Sequence, residues 1–482
     1  MHAVLKTKDI LREIFRHLRP DVLDSDKNDA ATPYHAALAC KQFLPHALDA
    51  LWFSMDTLLP LLALIPNSSM MSSDDNALVL NGVLCKEDLE VFDTYARRVH
   101  EYIRLLKRGA NGIRACVMMD LLDCLGRRCL LPNLRVLRIN PQKRELSNSY
   151  CFFLSPTLEH LQIQTSPSSE FSFFLPHLVR SAPSLRHLEI YHPTIPANLL
   201  HLIARIPKLQ TLGTSNNFVI CPDTFSTLFP FAEHLNSWTA DTVVFRPSTQ
   251  NSAYLYPPRF SALRELELKE PVDADEILTL FSRGLFPKLD ILSLFVPAYD
   301  RRHGNPAQYK ASWSKVCSII LGDRYKLRTL HLQGDFTSRQ ITDESKMPLE
   351  DLFASTTAHG LVGLSIVMPK LLKCLTPTSI DHLCTRFPSL ADLYINVDEP
   401  DFISFDALTV LARRLPLLST LDIGIDGSVL TDPPTVPILS HRLSELSLDK
   451  AVIDDPFLFA HYIDRLFPFC TIEESDLELA DE

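Results

Sequence analysis

Leucine at recurring intervals constrains this chain more than any other feature. The string Pro132-Asn-Leu134-Arg-Val-Leu137-Arg-Ile139 sets the pattern: proline, one residue, leucine, two residues, leucine, one residue, isoleucine or leucine. It returns at Leu158/Leu161/Ile163, Leu185/Leu188/Ile190, Leu263/Leu266/Leu268, Leu289/Leu292/Leu294, Leu390/Leu393/Ile395 and Leu418/Leu421/Ile423. First leucines stand at 134, 158, 185, 209, 263, 289, 327, 361, 390, 418 and 443, with a degenerate copy near 235; successive steps run from 24 to 38 residues, and about a dozen units fit. A repeat this persistent decides the architecture before any single residue is weighed.

Within a unit the apolar positions alternate, Leu137 and Ile139 pointing one way while Val136 and Arg138 point the other, as a short strand requires. Ahead of the strands lie helical patterns, at 197–205, 275–283, 379–386 and 405–414, with apolar residues three and four apart. Pro207, Pro287, Pro388 and Pro416 follow them. Proline lacks the backbone donor and clashes with the preceding turn, so it stops each helix where the next strand begins. One helix–stop–strand unit cannot bury its own apolar side. Stacking unit on unit does so, at roughly 1.5–3 kcal/mol per buried leucine. The predicted product is an α/β solenoid with parallel strands and outer helices.

The chain therefore resembles a leucine-rich-repeat protein, without the usual Asn or Cys after the strand: Asn140-Pro141-Gln142 follows Ile139, and Tyr191-His192-Pro193 follows Ile190. The array reads as irregular, with insertions at 241–259, 297–313 and 335–348.

Composition excludes several classes. The net charge of -11, with no basic stripe interleaved with aromatics, argues against nucleic acid. No apolar run serves as a signal peptide or reaches the length of a membrane span. Eleven cysteines without a C-x-x-C pair predict reduced thiols and a cytoplasmic or nuclear location; Cys124 and Cys129 lack the companions of a metal site. Thirteen glycines leave little material for a phosphate-cradling loop, and neither G-x-S-x-G nor H-E-x-x-H occurs. No catalytic residue, cofactor or metal ligand is expected. His160 and His187 occupy matching repeat positions and are expected to adjoin, as a metal or acid-sensing pair or as an ordinary surface ladder.

Before the repeats, Ile10, Leu11, Ile14, Phe15 and Leu18 mark the apolar face of a short helix. Thr32-Pro33 starts a second, and a stripe of Phe43/Leu44, Ala47/Leu48 and Leu51/Trp52 marks a third, with Pro45 in its first turn. A unit this small is marginal alone and needs a partner or the solenoid to cover its apolar side. The strings I-L-R-E-I-F-R-H-L, A-L-A-C-K-Q-F and A-L-D-A-L-W, followed by L-L-P-L-L-A-L-I-P, resemble the F-box domain as seen in basidiomycete F-box proteins. Tyr95-Ala-Arg-Arg-Val99 and the string 130–137 look like the same family, so the resemblance spans almost the whole chain. It departs where Lys6-Thr7-Lys8-Asp9 replaces the usual opening Leu-Pro and where 19–31 forms a long charged link. The same helices also read as a cap on the first repeat.

The expected organisation is an F-box-like helical domain over 1–66, a loop and helical connector over 67–130, about twelve irregular repeats over 131–472 and an acidic tail over 473–482. In the connector, 67–77 reads as an exposed loop and 87–106 as a helix with Leu89, Phe92, Ala96, Val99 and Ile103 on one face. The resemblance implies a substrate-recognition adaptor of a cullin-based ubiquitin ligase. Ile10, Leu11, Ile14, Phe15, Leu18, Leu38, Cys40, Phe43 and Trp52 would dock a Skp-type adaptor subunit, and through it a cullin. The strands would line the concave face of the solenoid and bind an unidentified target protein. That face would present Arg138, His160, Gln162, His187, Glu189 and Tyr191 early, Glu265, Glu267 and Phe295 centrally, and Asp392, Tyr394, Asp422, Glu445 and Asp449 late. Its acidic end favours a basic segment on the target, or is simply a solvated face. Two further readings stay open: a repeat scaffold with no ligase role, and a small-GTPase regulator, since leucine-rich solenoids with acidic tails also resemble Ran GTPase-activating proteins.

Overall fold

The computed structural model describes residues 7–20, 31–66, 68–70, 78–80, 84–104, 113, 115–126, 128–139, 148–164, 169–191, 201–215, 218–220, 233–241, 243–245, 260–282, 286–297, 299, 305–334, 346–354, 356, 358, 360–368, 371–373, 375–396, 402–426, 438–448 and 451–473. The chain forms two compact units, Met1–Asn216 and Asn217–Glu482.

The first unit begins with three short helices, α1 (Lys8–His17), α2 (Ala31–Ala39) and α3 (Leu44–Leu51). Leu11 and Phe15 are one helical turn apart and so share a face; they close on Ala47 and Ala50 of α3, with Leu18, Ala36, Ala37 and Phe43 packed around them. Small alanines on α3 let α1 approach closely enough for the Phe15 ring to meet Phe43 at 5.9 Å. The helices are tied to the next elements by the Arg98–Asp49 ion pair, by Arg98 donating to the Pro45 carbonyl, and by Trp52 against Tyr95 at 4.8 Å.

A parallel sheet follows, with strands Ser54–Met55, Glu101–Arg104, Val136–Ile139, His160–Gln164, His187–Tyr191 and Thr211–Ser215 paired in chain order. Two of these findings differ from the sequence expectation. The helix begun at Glu87 ends at Ala96, and Glu101–Arg104 is a strand. The region expected as an exposed loop carries Ser68–Met70, which pairs antiparallel with Leu78–Leu80.

The second unit repeats the arrangement with strands Ser237–Ala240, Glu265–Leu268, Ile291–Val296, Thr329–Gly334, Gly363–Val367, Asp392–Asn396, Thr420–Ile423, Glu445–Ser447 and Thr471–Glu473, each parallel to the next. Helices Ala274–Ser282, Pro377–Arg386 and Phe405–Arg414 stand where the leucine spacing predicts them. Part of the expected insertion at 297–313 is instead the start of a helix, Pro306–Ile320. Asn305 caps it, its side chain accepting from the Gln308 amide at 2.7 Å, and Tyr309, Trp313, Val316, Cys317 and Ile320 bury its inner face. The insertion residues 246–259 and 335–345, the tail residues 474–482 and Asp449 lie outside the described residues.

The twelve first leucines of the repeats, Leu134 through Leu443, are all between 0 and 4 % exposed. Strand burial alternates, as at His187–Tyr191 and Ile291–Val296, so one face of each sheet packs against the helices and the other is open. Lacking the usual side-chain ladder, the repeats are joined by main chain. The carbonyl of the residue just before a strand accepts two consecutive amides of the next repeat. Arg135 accepts from Glu159 and His160, Glu159 from Arg186 and His187, Arg264 from Asp290 and Ile291, and Ala391 from Ser419 and Thr420, all between 2.7 and 3.1 Å. Both lone pairs of one carbonyl are thereby used where strand pairing begins.

Candidate functional site

Two surfaces stand out, and the first is on the helices. The nine residues expected to dock an adaptor divide cleanly. Leu11 and Phe15, 3 and 5 % exposed, are core, and Leu18 and Phe43 pack against that core. The structure thus takes Leu11 and Phe15 out of the accessible set, because α1 turns this side of its apolar face to α3. Trp52 and Cys40 are half-buried, Trp52 against Tyr95. Ile10, Ile14 and Leu38 remain exposed, at 38, 40 and 70 %, joined by Tyr34 and Leu44, which sequence reasoning did not select.

The second surface is the open face of the sheets. Every residue expected to line it, Asp449 apart, projects from the strands opposite the buried leucines. In the first unit Arg138, His160, Gln162, His187, Glu189 and Tyr191 lie on three adjacent strands, in register His160↔His187 and Arg138↔Gln162↔Glu189. The two imidazoles do adjoin, stacked with centroids 5.6 Å apart at 27°. Glu189 lies between two partners: the Tyr191 hydroxyl donates to its Oε2 at 3.2 Å, and its Oε1 is 3.9 Å from His160 Nε2. Burial holds His160 below the usual imidazole value; Glu189 pulls it up, while Arg138 and His187 push it down.

In the second unit Glu265, Glu267 and Phe295 share the open face with Thr239, whose hydroxyl donates to Glu267 at 3.2 Å. Sequence reasoning missed His331 here, although counting from Leu330 to Leu332 places it in the same row. It is half-buried and held low by burial, with Glu267 and Glu265 pulling it up. Asp392, Tyr394, Asp422 and Glu445 follow, and strands 363–367, 392–396, 420–423 and 445–447 carry no Lys, Arg or His.

No group of three His, Cys, Asp or Glu side chains among the described residues is disposed to hold a metal ion. The buried thiols of Cys317 and Cys384 are pushed up to about 12 by burial, so neither is an activated nucleophile. No helix among the described residues is long and apolar enough to cross a membrane.

No family model matches the sequence, and no curated protein matches it. Among solved structures, a TLR13–ssRNA13 complex is similar at a TM-score of 0.40 and 13 % identity, over 82 % of this chain and 52 % of that one. The chain thus spans about half the length of that structure. A yeast Rad7–Elc1 complex is similar at a TM-score of 0.33 and 15 % identity, over 67 % of this chain and 82 % of that one. Scores this low carry no argument about fold or function.

Proposed function

We propose that the chain is a substrate-recognition adaptor of a cullin-based ubiquitin ligase. In this reading the amino-terminal helices dock a Skp-type adaptor subunit and the open face of the repeats holds a target protein. The observation that carries it is the division of α1: Leu11 and Phe15 hold the helices together, while Ile10 and Ile14 on the same helix stay exposed. A helix that merely capped the first repeat would have no reason to keep a second apolar row in solvent. The resemblance of I-L-R-E-I-F-R-H-L and the strings after it to the F-box names the partner class that such a row suits. The acidic late strands favour a basic segment on the target.

The test is co-purification with a recombinant Skp-type adaptor, beside an Ile10→Asp/Ile14→Asp variant whose circular dichroism and melting match the parent. A stoichiometric complex lost in that variant is expected. A folded parent chain that forms no complex would refute the reading and leave a repeat scaffold.

A further inference from the structure

The open face of the first unit holds a group of side chains that target capture alone does not account for. His160 Nε2 and Arg138 Nε are both buried, and neither has a hydrogen-bond partner among the described residues. Unsatisfied buried polar atoms are uncommon and call for a reason. Here two occur on neighbouring strands, and one of them, on His160, stands just beyond hydrogen-bond range of a carboxylate that is bonded elsewhere. Glu189 accepts from the Tyr191 hydroxyl at 3.2 Å and stops 3.9 Å short of His160 Nε2.

We propose that Glu189 is a two-position carboxylate, held by Tyr191 when His160 is neutral and drawn onto His160 when that ring takes up a proton. The first unit's open face thereby changes shape and charge with pH.

The groups involved can be enumerated strand by strand. Val136–Ile139 contributes Arg138, a fixed positive charge that opposes protonation of His160. His160–Gln164 contributes His160 and the neutral Gln162. His187–Tyr191 contributes His187, Glu189 and Tyr191. Thr211–Ser215 contributes Thr211 and Gly213, neither ionisable. Arg135, Glu159 and Arg186 sit exposed at the entry to these strands. Glu189 is thus the one carboxylate beside the pair on the strands themselves. Once His160 is an imidazolium, both ring nitrogens donate, and a charge-assisted bond from Nε2 to Glu189 is stronger than the neutral bond from Tyr191.

Gly213 gives the carboxylate its room. It lies opposite Glu189 in the register, and a Cβ there would stand 2.9 Å from Glu189 Cγ. A methyl group at this position crowds Glu189 from the side away from His160.

The device does not depend on whether the repeats capture a target, and its test needs no ligand. The full chain, with 13C-labelled histidine and tyrosine, is titrated from pH 8 to 5 by NMR. Single His160→Gln, His187→Gln and Tyr191→Phe variants assign the signals. The Tyr191 ring resonance should move with the same midpoint as His160. Glu189→Gln should shift the His160 midpoint to lower pH and hold the Tyr191 signal still. Gly213→Ala should shift the midpoint the opposite way. A Tyr191 resonance that stays flat through the His160 titration overturns the proposal in the unmodified protein, whatever the variants do. So does a His160 midpoint that ignores the loss of the Glu189 charge in a folded Glu189→Gln chain.

Discussion

Phe15 and Ile14 are neighbours in sequence, yet substituting them should have very unequal consequences. The Phe15 ring is 5 % exposed and meets Phe43 at 5.9 Å and the His46 ring at 6.4 Å. Truncating a core phenylalanine to alanine costs about 3–5 kcal/mol, the spread reflecting how far the surroundings collapse. The helical cluster is small and partly open, so Phe15→Ala should fall at the low end, about 3 kcal/mol. At about 1.4 kcal/mol per factor of ten, the local opening equilibrium of α1 and α3 rises roughly a hundredfold. Ile14, already 40 % exposed, has little burial to lose, and Ile14→Ala should stay within about 0.5 kcal/mol, or roughly twofold. Native-state hydrogen exchange read by mass spectrometry on peptides covering 8–17 and 44–51 measures both. If Ile14→Ala raises exchange as much as Phe15→Ala, or if Phe15→Ala leaves it unchanged, the division of α1 into a holding face and an exposed face is wrong.

Leu292 is fully buried in the middle of the second unit's sheet, so Leu292→Ala should cost about 3–5 kcal/mol and lower the urea midpoint of that unit; a loss under about 1 kcal/mol would contradict the packing. Asp455 accepts from the Leu458 amide at 3.0 Å at the start of helix Pro456–Leu466, so Asp455→Ala should cost about 1 kcal/mol in the same assay. His100, His160 and His331 are all held below the ordinary imidazole value, burial being the first cause of each. The unfolded chain therefore binds protons more readily than the folded one. Their contribution is complete above about pH 6.5 and is lost as pH falls toward the lowered folded values. Against them, among the described residues, stands the carboxyl of Glu276, raised by burial and so opposite in sense. The urea midpoint should be lower at pH 5.5 than at pH 7.5, and a rise would refute the assignment. Cys317 and Cys384, at about 12, and Cys151, at about 11, should resist iodoacetamide at pH 8 until the chain unfolds. Labelling in the native protein would show that these sites open.

The parts of this architecture that could be read in the sequence are those where two independent signals coincide. At 405–414 the apolar spacing and the following Pro416 both mark the helix end, and the helix runs Phe405–Arg414. The open-face row was legible for the same reason: once the leucines are placed, alternation fixes which side chains face away from them. The strand Glu101–Arg104 was not legible. Ala96, Val99 and Ile103 fall three and four apart, a spacing that fits a helix, and no proline or glycine punctuates the change to a strand. The helix Pro306–Ile320 was half-hidden because its apolar face extends beyond the boundary read for the insertion. The division of α1 could not be read at all. Ile10, Leu11, Ile14 and Phe15 form one continuous stripe in sequence, and only the position of α3, with its alanines at 47 and 50, decides which half is covered.

The forked carbonyl at each repeat junction has a bearing on what the chain tolerates as it diverges. An asparagine ladder ties each turn to one side chain, and losing it breaks the turn. Here the fastening is made by atoms that every amino acid carries, and the position itself is occupied by His100, Arg135, Glu159, Arg186, Asn236, Arg264, Asp290, Arg328, Val362, Ala391 and Ser419. Cations, anions, an amide, a hydroxyl and plain hydrocarbon all serve. No one side-chain type is required at this position, and where a side chain does add a bond between repeats, as Ser419 to the Ala391 carbonyl or Arg264 to Asp290, it adds to a main-chain fastening already made, so the rim of the sheet can change residue by residue while its spacing stays fixed.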